Sequence, residues 1–424
     1  MSSLDLAAHS RASGRPLGYT ISVEAIRGAL LWCMGFSGTF VFIEPSPYEV
    51  VALLTMLVFA LSGLALRAAI APLALGLIFI NIGYAISVVQ VSDQTKPVTW
   101  VLISIFMSAT AIFYAAMLGT STQRRLNLLL RGYIVGAFVA SAVAIAAYFH
   151  LFGGKSELFM LYGRARGTFN DPNVLAAFVA LPALLLFRRM LAGRLISGIP
   201  LLLMLAALFL SFSRGAWVQF ALAAALLMVL SFVTSRTGTE RIRILIISLF
   251  GVLAVAGLIA ALLSSGKVAD LFSERAALEQ SYDVGRYGRF GRYGLGADLA
   301  LEHPFGIGPL QFADRFTEDP HNTFLNEFMS GGWLAGFAYF ALCAVTIVMS
   351  TRLLFLRTPW QPVYHIIYAA YVAVVIESVF IDIEHWRHYF LILGVLWGLM
   401  AASRAYARPA VRDQSPTALQ PSAA

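Results

Sequence analysis

Apolar runs of about twenty residues recur from one end of this chain to the other, separated by short polar stretches. Each run is long enough to cross a hydrocarbon core of about 30 Å as a helix. The runs are continuously apolar rather than alternating, which favours helices over a β-barrel. Read in order, they predict about twelve spans, near residues 22–43, 48–66, 70–90, 98–118, 127–151, 173–189, 194–212, 215–233, 243–263, 323–350, 361–381 and 386–404. The fold class expected is an all-α polytopic membrane protein. A polar tail over 1–21 leads into one membrane-embedded domain over 22–404. Residues 405–424, rich in Ser, Pro, Ala and Gln, predict a disordered tail. Met1–Gly18 lacks the charged-then-apolar pattern of a cleavable signal, so the first helix is expected to be retained.

One polar stretch breaks the rhythm. Residues 264–321 form a long loop between the ninth and tenth spans, carrying Arg286, Arg289 and Arg292 and closing on Asp319-Pro320-His321-Asn322. Such a concentration of arginines with a histidine suggests a site that binds an anion and moves a proton.

Composition narrows the class. The chain is 59% hydrophobic and 12% charged, about half the charged share of a soluble domain. Its net charge of +8 fits basic loops kept on the cytoplasmic side, so nucleic acid is not expected as a partner. Cys33 and Cys343 lie inside apolar runs and offer neither a disulfide framework nor metal-ligand spacing.

The short loops sort by charge. One set holds Arg67, Arg124, Arg125, Arg188, Arg189, Arg194, Arg236, Arg241, Arg243, Arg352 and Arg357, with Arg11, Arg15, Arg404, Arg408 and Arg412 near the termini. Its acids are Asp5, Glu240 and Asp413. The other set holds Glu44, Glu49, Asp93, Glu157, Asp171, Asp382 and Glu384. The bias makes the first set cytoplasmic, with both termini inside. The 152–172 loop, the turn at Arg214 and the 264–321 loop then lie outside. Arg164, Arg166, Arg214, Arg286, Arg289, Arg292, Arg315 and Arg387 resist the bias by standing outside, and an anionic ligand on the outer face is one reason for it.

Five motifs carry candidate chemistry. Gly163-Arg164-Ala165-Arg166-Gly167-Thr168-Phe169-Asn170-Asp171-Pro172-Asn173 reads in part as a helix start, with Asp171 or Asn170 as cap and Pro172 in the first turn. That leaves two arginines at the membrane edge unexplained. Ser213-Arg214-Gly215 joins two spans, where an arginine either snorkels to headgroups or clamps a phosphate. Gly285 through Gly294 is a Gly-Arg quasi-repeat; on a helix its arginines step round one broad face, to meet headgroups or a diphosphate. His321 stands at a helix entry at the water boundary, where a histidine suits general-base work. Asp319 or Glu327 is positioned in sequence to orient its other nitrogen. Finally, Asp382 through His388 contains His385-x-x-His388; no complete metal-ligand set accompanies it, so a structural or supporting role is expected.

These residues resemble the O-antigen ligase and polymerase superfamily of bacterial envelope glycan enzymes. The resemblance rests on Arg166-Gly167-Thr168-Phe169 with Asp171-Pro172-Asn173, on Ser213-Arg214-Gly215, on Pro304 through Gly308, and on His321-Asn322 followed by Gly331-Gly332. It runs over most of residues 20–404. It implies about twelve transmembrane helices with a large periplasmic loop between helices 9 and 10, and a glycosyltransferase of the inner membrane with its site facing the periplasm. It implies metal-independent transfer without a cofactor, from a glycan on undecaprenyl diphosphate to a lipid A-core or another lipid-linked glycan. By the resemblance Arg166, Arg214 and one or more of Arg286, Arg289 and Arg292 hold the diphosphate. His321 activates the acceptor hydroxyl, with Arg164, Asp319, Asn322 and Glu327 in support.

The chemistry agrees with that reading. Outside the membrane an activated sugar must arrive on a lipid, and a diphosphate leaving group needs fixed cations as its charge grows. One base and no evident nucleophilic carboxylate predict inversion at the anomeric carbon. Ligase is favoured over polymerase. A transporter or lipid-linked glycan flippase is the competing class; few midspan ionisable residues (Arg27, Arg131 and Glu377) and the lack of an internal repeat speak against it. The enzyme reading requires His321 and Arg214 to share one membrane face, and predicts that His321 and at least one of the loop arginines line a common cavity.

Overall fold

The computed structural model describes residues 22–43, 45–276, 285–316 and 318–412. The 1–21 tail, Glu44 and Asp413 of the charge-sorted loops, and the last part of the expected C-terminal tail lie outside the described residues.

The chain is a helical bundle: α1 (Val23–Ser37), α2 (Pro47–Leu61), α3 (Ala71–Val88), α4 (Thr95–Met117), α5 (Thr122–Tyr148), α6 (Pro172–Leu191), α7 (Gly198–Leu210), α8 (Arg214–Thr234), α9 (Gly238–Leu263), α10 (Gly266–Ala276), α11 (Arg289–Glu302), α12 (Gln311–Phe316), α13 (Thr323–Thr351), α14 (Gln361–Glu377) and α15 (Arg387–Arg412). A helix occupies each of the twelve apolar runs. Among the described residues, eight are long and apolar enough by themselves to cross a membrane, and Pro47–Leu61 and Leu195–Leu210 are shorter apolar helices. The closest helix pairs are α13 with α3, α1 with α5, α15 with α4 and α14 with α8. The core runs through the middle of the bundle, where Trp397, Tyr133, Tyr364 and Tyr371 are fully buried. Helix α9 stays peripheral, with only Ile244 and Ile247 buried. Helix α15 extends to Arg412, into the stretch expected to be a disordered tail.

Segment 264–321 is not a plain loop. It contains α10, α11 and α12. Helix α11 buries Arg292, Gly296 and Ala300, one residue per turn, against α13. A Cβ at Gly296 would sit 2.7 Å from Leu325, so the glycine is what lets the two helices close. Arg286 precedes α11, so the three arginines do not share one helical face as the repeat suggested.

Helix α13 bends at Gly332, whose φ of 69° and ψ of −169° are non-helical. The Pro304–Gly308 turn occupies the bend. Ile307 N–H donates to Met329 O at 2.7 Å, and Trp333 N–H donates to Pro304 O at 2.9 Å. The Pro304–Gly308 and Gly331-Gly332 motifs are thus two halves of one packing joint.

Loops at each end of the bundle are tied to one another. At one end Thr168 Oγ1 donates to Thr39 O, Arg164 Nε to Ser211 O, and Arg387 Nε to Glu49 Oε1. Phe272 of α10 stacks on Phe209 and Trp217. At the other end Arg125 pairs with Glu24, Arg67 donates to Gly119 O, and Arg243 to Leu191 O. The described members of the two charge-sorted sets therefore fall on opposite ends. Two of the three residues read as midspan are at helix ends instead: Arg27 donates to Ser62 Oγ at 2.9 Å, and Glu377 closes α14.

Candidate active site

His321 sits just before α13, with φ at 53°. Asn322 caps that helix, accepting from Leu325 N–H at 3.1 Å. Thr323 anchors the junction to the α14–α15 turn. Its N–H donates to Ser378 O at 2.8 Å, its hydroxyl donates to Ile381 O at 2.9 Å, and the same hydroxyl accepts from Ile383 N–H at 3.0 Å. These ties bring Asp382 against His321. Nδ1 and Asp382 Oδ2 are 2.9 Å apart, and Asn326 Nδ2 donates to Asp382 Oδ1 at 2.6 Å. A carboxylate can only accept, so the Nδ1 proton faces Asp382 and Nε2 is left as the basic nitrogen. The His321 side chain is 40% exposed, open enough to meet a substrate.

The orienting group is therefore neither Asp319 nor Glu327, the two acids nearest in sequence. Glu327 is buried on the α3-facing side of α13, beside the Tyr84 hydroxyl. Asp319 lines a cavity next to the histidine. Burial and then the neighbouring Asp382 push its carboxyl above the usual range, while His321 pulls it down. Asp382 and Asn326 were missed as site residues. The one signal available was that Asp382 belongs to the acidic set at the same end as His321.

The arginines divide. Arg164 follows the tight Tyr162-Gly163 turn of a two-stranded hairpin, both turn residues having positive φ. It donates to Ser211 O and to Asn173 Oδ1, each at 2.7 Å, and so fastens the hairpin to the α7–α8 turn. Asp171 caps α6 through Asn173 N–H at 2.6 Å. Arg166 is half-buried and donates to Asn170 O at 3.2 Å and Leu158 O at 3.1 Å. Gly167 and Thr168 wedge it in place, since a Cβ on Gly167 would meet Ala140 O at 2.9 Å. Arg214 opens α8, capped by Ser213. In the long segment Arg292 is buried and paired with Glu318 at 2.8 Å. Arg289 begins α11 half-buried, and Arg286 is exposed beside Tyr287.

Glu377 and Ser378 link the Arg214 turn to His321. A Cβ on Gly215 would lie 3.0 Å from Glu377 Oε1, and the next residue, Ser378, accepts from Thr323 N–H. Arg214 and His321 therefore stand at the same end of the bundle, on adjoining elements.

Beside the histidine opens a cavity of about 230 Å³, whose walls include Trp100, Asp319, Asn326, Asp382, Glu384 and His385. No arginine lines it, so the expected sharing of a cavity wall between His321 and a loop arginine is not what is seen at this cavity. His385 lies against Trp100 with ring centroids 4.3 Å apart, whereas His388 packs on Trp386 at 5.0 Å and on the edge of Phe178. The two rings of the His-x-x-His motif face different aromatic partners. Among the described residues no three His, Cys, Asp or Glu side chains gather as a metal site.

The family model described as O-antigen ligase matches residues 199–340. Over that segment the chain is similar to O-antigen ligases. The matched segment runs from α7 into α13 and holds Arg214, the loop arginines, Asp319 and His321. Arg164, Arg166 and Asp382 lie outside it; Arg164 reaches it through Ser211 O, and Asp382 through His321 and Asn326. None of the curated proteins compared matches the chain.

Proposed function

We propose that this protein is an O-antigen ligase that moves a glycan from undecaprenyl diphosphate to a hydroxyl of lipid A-core at the periplasmic face of the bacterial inner membrane. The observation that carries the reading is the shared end of Arg214 and His321, joined through Glu377-Ser378. A cationic α7–α8 turn and a carboxylate-held histidine stand together, as a diphosphate leaving group and an acceptor hydroxyl require.

Nε2 of His321 takes the acceptor proton as the acceptor oxygen attacks the anomeric carbon. Asp382 holds the ring and offsets the imidazolium that forms. The new C–O bond forms as the bond from carbon to the phosphate oxygen breaks. Undecaprenyl diphosphate leaves with that electron pair, its added charge met by Arg214 and Arg166 and by Arg289 or Arg286. Arg292 is committed to Glu318 and serves the scaffold. Direct displacement inverts the anomeric carbon. The reading needs neither metal nor cofactor, because fixed guanidinium groups supply the positive charge.

The charge-sorted ends of the bundle support placing the site outside, with both chain termini in the cytoplasm. The test is a deletion strain examined for surface glycans. Loss of O-chain with accumulated lipid-linked polymer is the outcome for a ligase. Single-repeat products mark a polymerase instead, and unaltered surface glycans contradict both.

A further inference from the structure

The cavity beside His321 has a composition that the donor cannot use. Three carboxyl groups, Asp319, Asp382 and Glu384, face it, and no lysine or arginine does. Asp382 and Asn326 belong both to its wall and to the hydrogen-bonded chain that holds His321. A ligand seated there is therefore next to the base, against a wall without arginine.

The remaining wall is aromatic. Trp100 meets Tyr84 edge-on at 4.7 Å and has the His385 ring tilted against it at 4.3 Å. Burial, with Arg387 nearby, pushes His385 down to about 3, so this ring adds no positive charge. Its Nε2 is buried with no hydrogen-bond partner, and its residue lines the cavity. An aromatic platform ringed by acceptors and one unpaired ring nitrogen suits a small polyhydroxylated ring: its C–H face rests on the indole and its hydroxyls donate to the carboxylates. At about 230 Å³ the space falls below the roughly 300–1,000 Å³ of drug-sized ligand sites, which limits it to a single ring. Phosphate and carboxylate substituents would meet Asp319 and Asp382 on a wall that carries no lysine or arginine.

We propose that this cavity is the acceptor subsite and receives one pyranose that is uncharged or bears an amino group, and excludes phosphorylated and carboxylated sugars. The acceptor hydroxyl then reaches His321 at the rim. The assignment rests on the transfer reaction above for the meaning of "acceptor", but the selectivity belongs to the cavity and can be read without any transfer.

The experiment is saturation-transfer NMR on the purified full chain in detergent, with the methyl glycosides of glucose, glucosamine and glucuronic acid and with glucose 6-phosphate as probes. The glucoside and the glucosaminide are expected to receive saturation, and the two anions at least tenfold less. Trp100→Ala abolishes this pattern. The double variant Asp319→Asn with Glu384→Gln, which removes the Asp319 charge and keeps the shape of a neutral Glu384, is expected to admit the glucuronide. Equal binding of neutral and anionic sugars by the native protein overturns the proposal, as does a double variant that binds neutral sugars and still rejects the anions. If the neutral sugars bind selectively while the deletion strain keeps its surface glycans, the reaction is wrong and the cavity's selectivity stands. If O-chain is lost but the probes bind without selectivity, the reverse holds.

Discussion

His321 and Asp382, 61 residues apart, meet through a 2.9 Å contact between Nδ1 and Oδ2. That contact fixes which histidine nitrogen is free to take a proton. Asp382→Asn keeps the shape but can present a donor where Nδ1–H needs an acceptor, and so favours the wrong tautomer. Transfer is expected to fall by about 10²- to 10⁴-fold, with donor affinity within a factor of two or so of native. An Asp382→Asn enzyme with native turnover, measured with purified protein, would remove the orienting role.

The arginines are expected to separate by chemistry. Arg214→Lys keeps a charge but loses the planar fork, and should lower turnover by about 10²-fold with little change in melting temperature. Arg164 instead ties the hairpin to Ser211 O and Asn173. Arg164→Ala should lower the melting temperature and the folded yield in detergent. Equal thermal loss in both variants would mean that Arg214 too is scaffold.

Arg292 and Glu318 give an asymmetric pair. The arginine side chain is 3% exposed and the glutamate 65%. Glu318→Ala strands a buried guanidinium and should lower stability, by less than the loss of a fully buried pair because Glu318 is mostly exposed. Arg292→Met removes that charge while keeping the packing, and should cost less. The order of the two unfolding free energies, read from denaturant melts, checks the assignment; the opposite order would place Arg292 in a substrate-facing role.

Stability should carry a pH signature from Glu384. Burial first, then Asp382 and Glu327, raise its carboxyl well above the ordinary 4.5. The folded state then holds a proton that the unfolded state releases once pH exceeds about 4.5. Stability from this group is full below that value and declines as pH rises toward the folded-state value. Glu384→Gln mimics the protonated form, so its advantage in melting temperature over the native protein should grow from pH 5 to pH 9. An advantage that shrinks with pH would show that the side chain is ionised and stabilising.

Much of the bundle was legible because each apolar run specifies a helix by length alone. The packing joint was not. Gly332 and the Pro304–Gly308 turn lie 24 or more residues apart, and only the folded chain shows that one fills the bend of the other. Helices α10 to α12 escaped detection because they are short and polar, and the Gly-Arg repeat hid the fact that α11 starts at Arg289. His321 was readable from its place at a helix entry. Its partner was not, since proximity in sequence pointed to Asp319 and Glu327, and the choice of Asp382 is made by Thr323 pinning the 378–383 turn. The His-x-x-His spacing drew attention to ring nitrogens in a segment whose carboxyls line the cavity.

The central claim is that His321 removes the acceptor proton during glycan transfer from undecaprenyl diphosphate. The direct measurement is single-turnover transfer in proteoliposomes holding the purified protein, an undecaprenyl-diphosphate-linked glycan and lipid A-core, with a chelator present. Native protein is expected to attach the glycan to lipid A-core, and His321→Ala to bind the donor yet transfer at least about 10²-fold more slowly. Undiminished transfer by His321→Ala would contradict the account.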